Sequence, residues 1–350
     1  MSGLSDRLGG VAAVVPARPS LAGHIQIARI DHWVKNVFVL PGILVALGTD
    51  RAAMRWELIP TIVIGLLATC LVASSNYVIN EVLDAPSDLH HPTKCRRPVP
   101  AGLVSIPLAY VEWLVLMVAG MGLALCVSRA FVLTMLGLWI MGCLYNVPPI
   151  RTKDLPYLDV LSEAINNPLR MLAGWFIVNP PAVTPASLLI SYWMVGCYFM
   201  AVKRFAELRE INQTGTAASY RRSFAHYNEP RLLVSLTFYG STAMLFFGAF
   251  IMRYRLELIL AFPMVAIVMA MYLALAFKSD SAAQAPEKLY REPALMVPVS
   301  LCTVLMVALL FVDLPVMHRV FAPMAPTQAH ADADSIPSSS SPSMVAGKLP

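Results

Sequence analysis

The sequence predicts an all-α integral membrane protein of about nine transmembrane helices. Three observations carry this: the composition, the length of the apolar blocks, and the placement of basic residues between them. Of 350 residues, 57% are hydrophobic and only 13% charged, and the mean hydropathy is +0.64. A soluble domain carries about a quarter charged residues, because its surface must be wetted. The apolar residues also come in runs long enough to cross a bilayer. The net charge of +5 therefore belongs to loops and is no nucleic-acid footprint. Cys70, Cys95, Cys126, Cys143, Cys197 and Cys302 are scattered without a Cys-x-x-Cys pair, which argues against a disulfide framework and a zinc site.

Taken in chain order, residues 1–24 read as a poorly ordered cytoplasmic segment. Gly9–Val15 is too short for the core of a signal peptide, and Pro16, Arg18 and Pro19 follow it. Nine apolar runs come next, at about 34–49, 57–79, 103–127, 130–147, 157–178, 184–202, 232–252, 256–277 and 294–317. Only Ser128–Arg129 separates the third and fourth, so they form a tight hairpin. Ala322–Pro350, rich in Ala, Ser and Pro, reads as a disordered tail. Residues 25–321 thus make one transmembrane domain.

Basic residues alternate between the two sides. With the N-terminus inside, the inner segments hold 18 Lys and Arg, the outer segments seven, and Arg170 lies within a span. That asymmetry predicts a cytoplasmic N-terminus, an external C-terminus and an odd number of spans.

Ionisable groups in or beside spans are expensive there and so mark candidate sites. Asn80, Asp84 and Asp88 recur every four residues as the second span ends, placing three oxygen donors along one helical face, with Pro86 expected to bend the last turn. Such donors suit a hard cation such as Mg²⁺, whose shell is completed by water and phosphate. Lys94 and Arg97 follow closely, and acid oxygens beside fixed positive charge are what a metal–diphosphate complex requires. The competing reading is a solvated acidic helix end followed by ordinary cytoplasmic-side charges.

The run Asn80-Glu81…Asp84…Asp88 resembles the Asn-Asp-x-x-Asp-x-x-x-Asp motif of the UbiA prenyltransferase superfamily, with Glu81 at the second position. His91-Pro92…Lys94…Arg97-Pro98 resembles that family's continuation. The resemblance covers about residues 25–317. It implies a UbiA-like helical bundle in a bacterial inner membrane, Mg²⁺ held by Asn80, Asp84 and Asp88, and catalysis by Asp84, Asp88, Lys94 and Arg97.

Three further clusters are candidates for substrate binding. Asp159, Glu163, Asn166 and Arg170 fall on one stripe of the fifth span. They are either a buried structural network or the lining of a reaction cavity, with Arg170 near a donor phosphate. The Asp159–Arg170 spacing is similar to that of phosphoribosyl-transferring relatives, although Asn166-Asn167-Pro168 departs from them. Lys203-Arg204-Phe205-Ala206-Glu207 ends the sixth span and resembles the branch that builds polyprenyl-phosphoryl-phosphoribose, in place of a second Asp-rich motif. Lys203 and Arg204 would there meet substrate phosphate, and Glu207 joins them; a local ion pair is the plainer account. Arg29-Ile30-Asp31-His32-Trp33-Val34-Lys35-Asn36 resembles the start of the same branch. Lys35 is a candidate for lipid phosphate and Trp33 for an interface anchor. Tyr145, closing the fourth span, faces the same side.

The expected activity is transfer from a diphosphate donor: phosphoribosyl diphosphate to a polyprenyl phosphate first, a prenyl diphosphate to an aromatic or other small acceptor second. The expected partners are a lipid-linked substrate and a phosphorylated donor. A secondary transporter using Asp159, Glu163 and Arg170 is the reading of another class.

Overall fold

The computed structural model describes residues 18–89, 94–214, 222–278, 281–284 and 286–321. Of the expected terminal segments, 1–17 and 322–350 lie outside these residues, as do His91, Pro92 and Thr93. The described residues are helical, without a strand, and eight helices are long and apolar enough to cross a membrane. One compact unit spans Met1–Asp313. A second spans Leu314–Pro350, and its described helix is α12 (Pro315–Val320).

The first crossing, Leu21–Thr49, is composite: α1 (Leu21–Ile27), a 3₁₀ stretch (Ile30–Val39) and α2 (Leu40–Thr49). It is followed by α3 (Leu58–Asp88), α4 (Ile106–Leu125) and α5 (Arg129–Asn146). The Ser128 hydroxyl caps α5 by accepting from Phe131 N at 3.2 Å, which turns the short break into a helix start. α3 continues through Pro86 to Asp88, so the whole acidic motif rides on one helix.

The fifth predicted span departs from expectation. It folds as α6 (Leu158–Ala164) and α7 (Asn166–Val178), interrupted at Ile165. Pro168 has no N–H to offer the Ala164 carbonyl four residues back, so the ladder fails there. The Asn166 amide instead donates to the Glu163 carbonyl at 3.0 Å, and the Trp193 indole to the Leu161 carbonyl at 3.0 Å. This broken pair stands in the place of the fifth expected span; the eight long apolar helices stand in the places of the others. Next come α8 (Ala186–Thr214), α9 (Glu229–Tyr254), α10 (Phe262–Leu275) and α11 (Pro293–Phe311). The last run ends at Phe311 rather than near 317, because Val312 is extended and Pro315 opens a new helix.

Within the first unit, α3 packs most extensively on α4, and α8 on α9. α2 and α7 touch backbone to backbone: a Cβ on Gly42 would stand 1.9 Å from the Met171 carbonyl oxygen, and one on Gly174 2.0 Å from that of Val39. Small residues permit such approach in membranes, where dispersion and polar contacts hold helices together. Outward positions stay apolar, as at Val118 (62% exposed) and Leu245 (69%), which suits lipid contact. At one end, Asp313 takes Arg51 and Arg255 at 3.0 and 2.9 Å, joining the ends of α2, α9 and α11. The candidate site lies at the other end.

Candidate active site

The motif on α3 meets the segment after α5. Asp84 Oδ1 accepts from Arg151 Nη2 at 2.9 Å and from Lys153 Nζ at 2.5 Å. Lys153, only 2% exposed, also donates to Asn146 Oδ1 at 2.9 Å and stands over the Tyr145 ring. Asn146 Oδ1 accepts from Asn80 Nδ2 as well, at 2.5 Å, so that the Asn80 amide donates here and keeps its oxygen as an acceptor. Asp88 takes Arg97 Nη1 at 2.6 Å. Arg151 also pairs with Asp154 at 3.0 Å.

Asn80, Asp84 and Asp88 present two carboxylates and an amide oxygen along one helix, a hard donor set that fits Mg²⁺. Glu81 points elsewhere. It is 1% exposed, accepts from Arg29 Nη2 at 2.9 Å and Nε at 3.3 Å, and from Val99 N at 3.3 Å. It therefore ties the first crossing and the Arg97-bearing loop to α3. Lys94 opens the short 3₁₀ turn Lys94–Arg96 leading to Arg97.

A second cluster joins α6, α8 and the segment before α9. Asp159, 0% exposed, accepts from Arg204 Nε at 2.9 Å, from the Tyr227 hydroxyl at 2.5 Å and from the Ser223 hydroxyl at 3.5 Å. Arg204 reaches Glu207 at 2.7 Å through its other arm. The Tyr227 hydroxyl also accepts from Tyr157 N at 2.7 Å. Burial, then the negative charge of Asp159, push the Tyr227 hydroxyl well above the ordinary tyrosine range, so it stays a donor. Lys203 is half-buried on the same turn of α8.

Deeper in the bundle, Arg170 Nε donates to Asn36 Oδ1 at 2.9 Å, and Asn36 Nδ2 contacts Cys70 Sγ at 3.1 Å. The Asn166 carbonyl accepts from Arg170 Nη1 at 3.3 Å. The expected stripe is thus divided: Asp159 belongs to the Arg204 cluster, while Arg170 pairs with the first crossing. Lys35 lies half-buried in the 3₁₀ stretch, and Trp33 donates its indole N–H to Ser74 at 2.9 Å.

Arg151, Lys153, Ser223 and Tyr227 were not singled out by sequence. The only available signal for Lys153 was its position just past Tyr145-Asn146; loops have no periodicity to reveal convergence.

Comparison with known proteins gives the family of the chain. The model of the UbiA prenyltransferase family matches residues 37–297. Decaprenyl-phosphate phosphoribosyltransferase of Mycobacterium tuberculosis is 30% identical over 234 residues, covering 67% of this chain and 75% of that one. The Mycolicibacterium smegmatis protein of the same name is 28% identical over 238 residues, covering 67% and 71%. A UbiA homolog from Archaeoglobus fulgidus, solved with DMAPP and Mg²⁺, superposes with TM-score 0.63 at 20% identity, over 83% of this chain and 100% of that one. The chain is a membrane-embedded transferase belonging to the UbiA prenyltransferase family.

Proposed function

We propose that this transferase moves a phosphoribosyl group from 5-phosphoribosyl diphosphate to a polyprenyl phosphate, with Mg²⁺, at the cytoplasmic face of a bacterial inner membrane. The observation that carries the reading is the interleaving of acids and bases at the end of α3. Asp84 is met by Arg151 and Lys153, and Asp88 by Arg97. A metal–diphosphate complex brings a cation for those acids and an anion for those bases, so every charge finds a new partner when it binds. Asn80, Asp84 and Asp88 would hold the ion, which supplies charge neutralisation to the departing diphosphate.

The chain's own groups do the rest. Arg97, Arg151 and Lys153, with Lys94, give fixed positive charge in a partly enclosed site, where each contact to the leaving group is strong. The C1–O bond to diphosphate breaks with its electron pair leaving on diphosphate. A polyprenyl phosphate oxygen forms the new bond to C1. That oxygen is already anionic, so no general base is needed.

Two features favour the ribosyl donor. The mycobacterial relatives carry the name decaprenyl-phosphate phosphoribosyltransferase. The α8 cluster sets Lys203 beside the buried Arg204–Glu207 pair, where a second acid pair would serve a second metal; Arg204 itself is enclosed by Asp159 and Glu207 instead of facing substrate phosphate as expected. In this reading Lys35 and Lys203 serve acceptor phosphate, Tyr145 and Asn166 line the cavity, and Arg204 holds Asp159 and Glu207 in place. A prenyl donor with a small acceptor is the second reading, favoured by the fold's likeness to a homolog seen with DMAPP.

One experiment separates them. Purified protein in nanodiscs with Mg²⁺ receives either 5-phosphoribosyl diphosphate plus polyprenyl phosphate, or polyprenyl diphosphate plus 4-hydroxybenzoate. A lipid-linked phosphoribose product, lost in Asp84→Asn, is expected. A prenylated aromatic product in its stead would refute the ribosyl reading and leave the site standing.

A further inference from the structure

Two opposite charges stand deeper in the bundle than the α3 motif, and among the described residues neither has an ion-pair partner. Arg170 donates only to neutral acceptors, the Asn36 amide oxygen and the Asn166 carbonyl at 3.3 Å. Among the described residues no carboxylate forms an ion pair with it. Glu163 accepts the Asn166 amide on its backbone carbonyl, and its carboxylate has no hydrogen bond or ion pair to any described residue. Both are half-buried. Between them in sequence, Asn166 Oδ1 is buried without a partner.

These groups share one neighbourhood. Asn166 joins them: its amide donates to the Glu163 carbonyl, and its own carbonyl accepts from Arg170. Arg170 also reaches Asn36, whose amide contacts Cys70 on α3, the helix that carries Asp84. An unpaired charge inside a bilayer is costly. Glu163 and Arg170 do not relieve each other, being seven residues apart along the broken α6–α7 pair. A ligand with hydroxyls for the carboxylate and an anionic end for the guanidinium would relieve both. A pentose phosphate has that chemistry.

We propose that Glu163 and Arg170 form the sugar subsite of the donor: Glu163 accepts hydrogen bonds from the ribose hydroxyls, and Arg170 takes the phosphate at its far end. Glu163 is then the residue that selects a phosphorylated sugar over an allylic donor, because an apolar tail would leave both charges stranded in an apolar setting. The inference rests on the ribosyl reading above.

The test uses the full chain in nanodiscs with Mg²⁺, 5-phosphoribosyl diphosphate and polyprenyl phosphate. Glu163→Ala and Glu163→Gln should raise donor KM about ten- to hundredfold, as expected for losing a charged hydrogen bond. The KM for polyprenyl phosphate and the Mg²⁺ half-saturation should stay put. The wild type should discriminate against donors lacking the 2- or 3-hydroxyl, and Glu163→Ala should lose that discrimination. An unmoved donor KM, or equal discrimination in wild type and variant, overturns the inference while lipid-linked phosphoribose still forms. Absence of discrimination by the wild type overturns it without any variant. A wild type that accepts only prenyl diphosphate removes the ribosyl reading, and this subsite with it.

Discussion

Asp159 is enclosed completely, yet three side chains donate to it, and the least obvious of them is Tyr227. The Tyr227 hydroxyl is held protonated by burial and by the carboxylate itself, so it remains a donor through the physiological range. Tyr227→Phe deletes that donor and leaves Tyr157 N without its acceptor. The expected loss is about 1–3 kcal/mol of stability, the penalty for stranding buried polar groups. A melting point in detergent equal to that of the wild type would contradict this assignment. The contrast with the α3 motif is instructive. Asn80, Asp84 and Asp88 were legible because helical periodicity places them on one face before any fold is known. Tyr227 and Lys153 reach Asp159 and Asp84 from 68 and 69 residues away in the chain. Nothing local announces such contacts. Glu81 shows the reverse case: the motif position is recognisable, but only the structure shows it occupied with Arg29 and Val99.

At the scale of elements, the crossing that carries Arg170 is held by contact of backbones rather than by large side chains. Gly174 lets α7 approach the Val39 carbonyl, and Gly42 lets α2 approach that of Met171. Asn36 immediately precedes this contact, so the α2–α7 distance sets whether it reaches Arg170. A methyl at Gly174 would meet a carbonyl oxygen, which cannot swing aside as a side chain does. Gly174→Ala should therefore cost about 1–3 kcal/mol, and thermal unfolding in detergent would show it as a lowered midpoint. A midpoint that does not move would mean that the two helices are not in register as described. Apolar run length located eight of the nine expected spans as long apolar helices, but it could not see the break at Ile165 in the fifth. There Asn166-Asn167-Pro168 interrupts the hydrogen-bond ladder without lowering hydropathy enough to end the run.

Across the whole first unit, charge is sorted by end. Asp313 with Arg51 and Arg255 marks one end; the α3 motif with Arg97, Arg151, Lys153 and Arg204 marks the other. The sequence showed this sorting as 18 basic residues against seven on alternating sides, because insertion retains Lys and Arg loops on the cytoplasmic side. The proposed reaction depends on it, since a phosphorylated sugar donor is charged and cannot cross the bilayer to reach an outward-facing site. Arg96 is exposed beside the candidate site, and Arg55 is exposed in the loop between α2 and α3 at the opposite end. In a background with the native cysteines replaced by alanine, Arg55→Cys on intact cells should react with a membrane-impermeant maleimide. Arg96→Cys should react only after permeabilisation. The opposite pattern would place the acidic motif outside, away from any cytoplasmic pool of phosphoribosyl diphosphate. It would force a donor that arrives within the membrane, and a lipid diphosphate would then become the better substrate for this fold.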